Sequence, residues 1–328
     1  MDEKKTTCKV SVLCAAYNHE EYLRQTLDSF LAQKTDFPFE VLINDDASTD
    51  TTADIIREYA EKHPDIIRPF YQEENLYSRR INLYDTVFFP AARGEYIALC
   101  EGDDYWNDPE KLQLQVNWLD IHPDYSACVH NSIGCFEDQP DKVLFAQDGD
   151  RDIPFEQVIQ GMSHAYHTSS ILARREFILD PPDYRNVAYE QGYFTDYAVG
   201  VRLGLSGKVR FLDRCMSVYR VGSNPSAWSK GVGQDYRKLK RFVSGEIAML
   251  KTLKLHPLTP EQEAAVDQVL LEREYELLYI EGRVDEMVKP PYDKIHQSMG
   301  RGRVVSTELK RRMPHLHRLY RRHRGYED

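Results

Sequence analysis

No apolar run in the 328 residues approaches the ~20 needed to cross a bilayer as a helix. The first five residues, Met1-Asp2-Glu3-Lys4-Lys5, carry acids and lead straight into a strand-like segment, unlike a secretion signal. There is no C-x-x-C pair: Cys8, Cys14, Cys100, Cys128, Cys135 and Cys215 are scattered, several of them inside apolar runs where a thiol acts as a small hydrophobe. This spacing argues against a zinc site and a disulfide framework, and it predicts a reducing, cytoplasmic setting. Internal repeats and low-complexity tracts are also missing. What is left is a globular chain, 41% hydrophobic and 11% aromatic, long enough to bury a sizeable core.

Charge is abundant and uneven. Residues 301–324 hold nine Lys/Arg against the single acid Glu308, a net +8. With −11 in total, the remainder carries −19. An acidic body argues against nucleic-acid binding, whereas a basic end suits an anionic surface or a solvated helix.

The apolar pattern alternates between strands and helices. Lys9–Ala16 reads as a buried strand, and Leu23, Leu27, Phe30 and Leu31 mark a helical face after it. Phe39–Ile43 is a second strand, ending at Asn44-Asp45-Asp46-Ala47-Ser48-Thr49-Asp50, whose hydroxyls and carboxylates can cap the next helix. Ile66–Tyr71 is a short strand placed near an edge by Pro69. A third helix through Leu83, Val87 and Ala91 precedes the strand Tyr96–Cys100, and Asp108-Pro109 opens a fourth. Four alternations predict a mainly parallel sheet wrapped by helices on both faces. Beyond Ser126 the alternation fails: strands are expected over 126–136 and 168–173, a helix from Tyr193 to about Leu205, and a strand pair at 208–212 and 216–220. Ser223–Gly233 reads as a loop, a candidate lid. Two long helices follow, Tyr236–Leu255 and Glu261–Arg283.

The chemistry concentrates at two strand ends, Asp45-Asp46 and Glu101-Gly102-Asp103-Asp104. Neighbouring carboxylates repel unless a cation separates them, and Mg²⁺ or Mn²⁺ takes one or two carboxylates together with substrate phosphates. In open α/β sheets ligands bind beyond the carboxyl ends of the strands. Acidic pairs there fit a metal–nucleotide site, although Gly-Asp-Asp also occurs in plain turns.

In this order and spacing, Val10-Ser11-Val12, Tyr17-Asn18, Asn44–Asp50, Gly94-Glu95-Tyr96-Ile97, Gly102-Asp103-Asp104 and Tyr219-Arg220 resemble the family 2 glycosyltransferases. The resemblance implies a GT-A fold of Rossmann-like α/β type, with a nucleotide-binding half over about 8–125 and an acceptor half over about 126–225. A helical extension with a basic tail, 226–328, lies outside it. It also implies an inverting, metal-dependent transfer from a nucleotide sugar, a UDP-sugar by expectation, to a glycan or lipid-linked acceptor in surface polysaccharide synthesis.

Position by position, Ala15 and Tyr17 match residues that line the nucleobase, and Asn18 belongs to the same nucleotide-binding segment. Asp46 matches the acid that reads the uracil edge, with Asp45 beside it. Asp103 would face the ribose or sugar, and Asp104 would hold Mn²⁺ or Mg²⁺. Arg79 and Arg80 fall where the family places basic groups near the donor. The base that takes the acceptor proton maps to Asp196 in Thr195-Asp196, with Glu190 and Asp183 in reserve. One departure stands out: relatives follow Tyr-Arg with one residue and then His, where this chain has Gly222.

Trp106 reads either as an acceptor platform or as packing under the fourth helix. His164 and His167 are candidates for the acceptor cleft, and Trp228 for closure of the lid loop. The tail at 301–324 would place the chain peripherally on an anionic inner membrane face. Two other classes remain open. A nucleotidyltransferase would want a Gly-rich basic loop where Ala15-Ala16-Tyr17-Asn18-His19 stands, and a degenerate binding module would bind nucleotide without turnover.

Overall fold

The computed structural model describes residues 8–137, 139–145, 149–161, 165–179, 195–222 and 236–298, with isolated positions between 304 and 313. Two compact units divide the chain: Met1–Pro182 with Thr195–Ser223, and Asp183–Phe194 with Asn224–Asp328.

In the first unit the described residues build a ten-stranded sheet. Its parallel part consists of β1 (Val10–Ala16), β2 (Phe39–Asp45), β3 (Ile67–Tyr71) and β4 (Tyr96–Leu99), in the order β3-β2-β1-β4. Both faces are covered, which is why these strands read as continuous apolar runs. Val12, Cys14, Val41 and Ile43 face one cluster with Leu23 and Leu27 of α1 (Leu23–Leu31), Ile55 and Ile56 of α2 (Thr52–Lys62), and Leu112 and Val116 of a later helix. Leu13, Leu42, Ile97 and Leu99 face the other, with Phe88, Phe89, Val158, Val199 and Leu203. β3 is the edge strand, as its proline predicts.

The helix expected through Leu83 and Ala91 is a π-helical turn, Tyr84–Phe88, running into α3 (Phe89–Ala91). Pro90 has no N–H to give, and the Phe89 N–H reaches back five residues to Tyr84 O. Past β4 come β5 (Tyr105–Trp106), α4 (Lys111–Ile121), β6 (Tyr125–Phe136), β7 (Lys142–Val143), β8 (Arg151–Ile153) and α5 (Phe155–Ile159). The fourth helix starts later than Asp108-Pro109: Asp108 Oδ1 accepts the Glu110 N–H at 2.9 Å and holds that stretch as a turn.

The strand predicted over 168–173 is a 3₁₀ turn (Thr168–Ser170) followed by β9 (Leu172–Arg174), because the His167 ring accepts the Ser169 N–H and caps a turn there. After α6 (Arg175–Leu179) and α7 (Thr195–Ser206), the predicted strand pair is one long strand, β10 (Lys208–Val221). It stays paired with β6 through register shifts between Leu212 and Ser217. The Asp213 N–H donates to Asp150 and Arg214 pairs with Asp108 at 2.6 Å, so the polar residues that suggested a break form a bulge. The sheet continues β4-β9-β6-β10-β5, with β9 antiparallel to both neighbours and β10 antiparallel to β5.

Gly94 has no room for a side chain: a Cβ there would lie 2.3 Å from Ser11 N. The Gly94 N–H donates to Ser11 Oγ at 2.8 Å, and Ser11 Oγ donates in turn to Glu40 at 2.7 Å. This explains the Gly94-Glu95-Tyr96 motif as close packing of β4 on β1.

The second unit contains α8 (Tyr236–Leu253) and α9 (Pro260–Glu281), where two long helices were expected, followed by α10 (Val284–Met287) and α11 (Asp293–Ser298). Thr259 and Gln262 form a capping box with Pro260 at the first helical position, and Gly282 closes α9 at φ 77°. Ion pairs Lys240–Glu281, Lys251–Glu274 and Arg273–Glu246 link α8 to α9. Among the described residues no helix is long and apolar enough to cross a membrane.

Candidate functional site

The acidic pairs meet at the carboxyl ends of β1, β2 and β4, because these strands are adjacent and parallel. Two loops close over that end and are sewn together. Asn18 sits at φ 54°, a conformation Asn tolerates, and its Oδ1 accepts the Thr49 N–H at 2.8 Å. The Asn18 N–H donates to Ser48 Oγ, the His19 N–H to Thr52 Oγ1 at 2.8 Å, and the Glu20 N–H to Asp50. Asn18 therefore braces the loop after β1 against the loop after β2. Ala15 and Tyr17 stand half-buried at the end of β1.

Asp45 and Asp46 have different surroundings. Both oxygens of Asp46 accept backbone N–H groups, Leu76 at 2.7 Å and Tyr77 at 3.2 Å, so this carboxylate holds the loop after β3. A carboxylate offers about four lone-pair positions, which leaves it capacity for a ligand. Asp45 receives one long bond from the Ser48 N–H at 3.4 Å, and its Oδ1 has no hydrogen-bond partner among the described residues. Burial pushes its carboxyl up. Arg79 and Arg80 are exposed on the same loop, and Arg79 pairs with Glu74.

The turn carrying Asp103 and Asp104 is built by residues from three other segments. Gly102 donates its N–H to Ala15 O at 2.9 Å, and a Cβ there would stand 2.8 Å from His19 Nδ1 and 3.2 Å from Ala15 O. The Thr26 hydroxyl, on α1, reaches Gly102 O at 2.9 Å and Asp104 O at 2.6 Å. From β10, which pairs with β5 just past the turn, the Arg220 N–H donates to Asp104 Oδ1 at 3.0 Å. The Arg220 guanidinium donates to Asp103 O and to Gln25 Oε1, and it lies over the rings of Tyr22 and Tyr105 at 5.0 and 4.7 Å. Tyr219-Arg220 was visible as a motif; Thr26 was not, and a threonine on the apolar face of α1 is the only sign of it in the sequence.

Asp104 is 1% exposed, and its Oδ2 has no hydrogen-bond partner among the described residues. Burial, then the negative charges of Asp103 and Glu101, raise its carboxyl well above the ordinary range. Without a partner for its charge the carboxylate binds a proton more readily than an exposed one, and a cation would compete for the same oxygen. Asp103 Oδ2 lies 3.9 Å from His19 Nε2. Burial lowers the His19 imidazole despite that carboxylate.

His167 does not simply face an acceptor cleft. Its Nδ1 lies 3.6 Å from Asp104 Oδ2, its ring stacks on Tyr219 at 4.1 Å, and burial lowers it to about 4, so it is neutral near pH 7. Trp106 is 3% exposed, with its Nε1–H on Ser169 O at 3.0 Å and Phe30 4.6 Å away. It lies in the core beneath the site, with no open face for a sugar. Over its ring sits Lys111, fully buried, lowered to about 7 by that burial and bonded to Gln115. Asp196 lies in the first turn of α7, and its side chain is outside the described residues, as are His164, Trp228, Glu190 and Asp183.

Among the described residues no group of three or more His, Cys, Asp or Glu forms a cage for a metal ion. The unpartnered, buried oxygen of Asp104 nevertheless fits a cation that takes its other ligands from substrate phosphates and water, the way Mg²⁺ and Mn²⁺ are ordinarily held.

Comparison with known proteins bears on the family and the fold. Residues 11–177 match the family described as Glycosyl transferase family 2. An uncharacterized protein of Mycobacterium tuberculosis is 39% identical over 212 residues, 64% of this chain and 58% of its own length. The chain thus spans little more than half of that relative. A UDP-Glc:alpha-D-GlcNAc-diphosphoundecaprenol beta-1,3-glucosyltransferase of Escherichia coli is 33% identical over 111 residues, 34% of this chain and 41% of its own. In structure, residues 1–349 of Staphylococcus aureus TarS, solved with UDP-GlcNAc, superpose with a TM-score of 0.61 at 19% identity, covering 88% of this chain and 78% of theirs. At that identity the likeness speaks for the fold.

Proposed function

The chain belongs to glycosyltransferase family 2, with the GT-A fold and C-terminal helices, and from that premise we propose that it transfers a sugar from a UDP-sugar to an acceptor hydroxyl with inversion. The observation that carries this reading is the Asp103-Asp104 turn, clamped by Thr26 and Arg220 at the end of β4, with one buried oxygen left open.

In this reading Tyr17 stacks on the nucleobase beside Ala15 and Asn18, and Asp45 and Asp46 face its polar edge. Asp103 contacts the ribose or sugar. Asp104 would hold Mn²⁺ or Mg²⁺, which when bound would offset the charge that builds on the departing diphosphate. Asp196, near the start of α7, takes the proton of the attacking hydroxyl as the sugar gains oxocarbenium character. The acceptor is a lipid-linked or growing surface glycan, a reading supported by the name of the E. coli relative.

The decisive test is a thermal-shift screen of UDP- and GDP-sugars with and without Mn²⁺, followed by NMR of sugar release. Stabilisation by one UDP-sugar and inverted product anomers are expected; no stabilisation by any nucleotide sugar refutes the reading. Asp196→Asn should keep donor affinity while lowering turnover ~10²–10⁴-fold, the usual share of a general base. Loss of UDP binding in that variant would mark Asp196 as a structural cap instead.

A further inference from the structure

Arg220 occupies one oxygen of Asp104, and the other faces an imidazole. Oδ2 is buried, has no hydrogen-bond partner among the described residues, and lies 3.6 Å from His167 Nδ1. That separation is too long for a hydrogen bond, and a charge-assisted N–H···O contact would close to about 2.7–2.9 Å. It is about half an ångström wider than the spacing of two neighbouring ligands on one octahedral ion, so a small closure would bring both atoms onto a cation. Donor atoms bound at ~2.0–2.2 Å to a common cation lie about 3 Å apart at a right angle and about 3.5 Å apart at a tetrahedral angle.

The ring is held for that task. It stacks on Tyr219 with 30° between the planes, and Tyr219 adjoins Arg220, which fixes the same carboxylate. The remaining contacts of Nδ1 are with Ser169, Oγ at 2.9 Å and the N–H at 3.3 Å, the second of them long. Nδ1 has one lone pair, so a cation at Asp104 would displace both Ser169 contacts, and it would be the stronger partner.

We propose that Asp104 Oδ2 and His167 Nδ1 form an oxygen–nitrogen chelating pair for the divalent cation, so that the segment before β9 supplies an imidazole ligand to the site. This rests on the nucleotide-sugar reading above. Imidazole suits first-row transition ions better than Mg²⁺, so the site should favour Mn²⁺ over Mg²⁺.

The test uses the full chain with Mn²⁺ and UDP. Pulsed electron paramagnetic resonance of the wild-type complex should show coupling of Mn²⁺ to one imidazole nitrogen. His167→Gln should lose that coupling and bind Mn²⁺ about 10–100-fold more weakly in titrations with UDP present, while Mg²⁺ affinity changes by less than about threefold. A Mn²⁺–UDP complex without nitrogen coupling in the wild type overturns the proposal and leaves the donor reading standing. Absence of UDP binding with any cation overturns both. Nitrogen coupling that persists in His167→Gln would belong to another imidazole, such as His19 beside Asp103, and overturns the proposal. His167→Asn gives the same readout if the first variant fails to fold.

Discussion

Glu40 and Asp104 are both 1% exposed carboxylates in the same sheet, near opposite ends of it, and they have opposite fates. Glu40, at the start of β2, is surrounded by donors: Ser11 Oγ at 2.7 Å, the Arg93 N–H at 2.8 Å, and the guanidinium groups of Arg93 and Arg68, each at 2.6 Å. Burial by itself would push its carboxyl up, but these partners together hold it below its ordinary value. Asp104 has one N–H on one oxygen and a raised carboxyl. Solvent exposure is equal, but Asp104 lies deeper than Glu40, so depth and the lack of partners together separate the two. A buried charge that is fully paired holds the fold together, whereas one left half-paired stores a demand that a ligand can meet.

The strongest way to break the comparison is Asp104→Asn. Turnover should fall at least ~10²–10³-fold, the scale of losing one transition-state electrostatic contact, as measured by NMR of sugar release. The unliganded protein should unfold no earlier than wild type, because the substitution removes an unmet charge. A clear loss of stability would show that Asp104 is paired like Glu40.

Glu40→Gln tests the other end. It strips two arginines of their partner; since those arginines reach solvent, the loss should be roughly 2–4 kcal/mol, below or near the 3–5 typical of a broken buried pair. Urea unfolding measures it, and turnover per folded molecule should stay within about threefold. A large loss of turnover at unchanged stability would reverse the assignment of roles.

Acid and base titrations sharpen the contrast. Glu40 is lowered in the folded state, so its contribution is present above its unfolded value and is lost as pH falls through the folded one. Asp104 is raised, so the folded chain binds its proton more tightly, and stability declines as pH rises from the unfolded value near 3.8 through the folded one. Melting temperatures in EDTA should therefore show an acid-side loss that Glu40→Gln removes and a decline toward higher pH that Asp104→Asn removes. Mn²⁺ with UDP should suppress only the second. Equal pH profiles for wild type and Asp104→Asn would count against the unmet carboxylate.

The smallest effect is expected from the basic tail. We expect removal of residues 301–328 to change soluble-acceptor turnover by less than about twofold and to weaken sedimentation with anionic liposomes, with each basic residue near the surface contributing ~1 kcal/mol. Full-length binding should fade with salt. Equal liposome binding by both chains would remove the membrane reading.

Both ends of this comparison were partly legible beforehand. Continuous apolar runs placed β1 to β4, since strands covered on both faces bury every residue in turn, and Pro69 put β3 at the edge. Local rules misjudged elements whose shape depends on distant partners. Asp213 and Arg214 read as a break between two strands, yet Asp150 and Asp108 absorb their polarity and β10 continues. Trp106 left two readings open in the sequence, and the structure places it in the core between Phe30 and Lys111.

The sequence by itself determined that acidic pairs end β2 and β4 and that these strands run parallel, because both follow from residues near one another in the chain. Only the tertiary structure decided which carboxylate oxygen is satisfied. Arg220 is 116 positions from Asp104, Thr26 is 78 away, and Arg93 is 53 from Glu40. His167 reaches Asp104 from yet another segment, with Gly222 standing where the resemblance called for an imidazole. Hydrogen-bond satisfaction depends on angstroms between residues that no local pattern relates, and here that satisfaction separates the carboxylate that holds the sheet from the one that awaits a ligand.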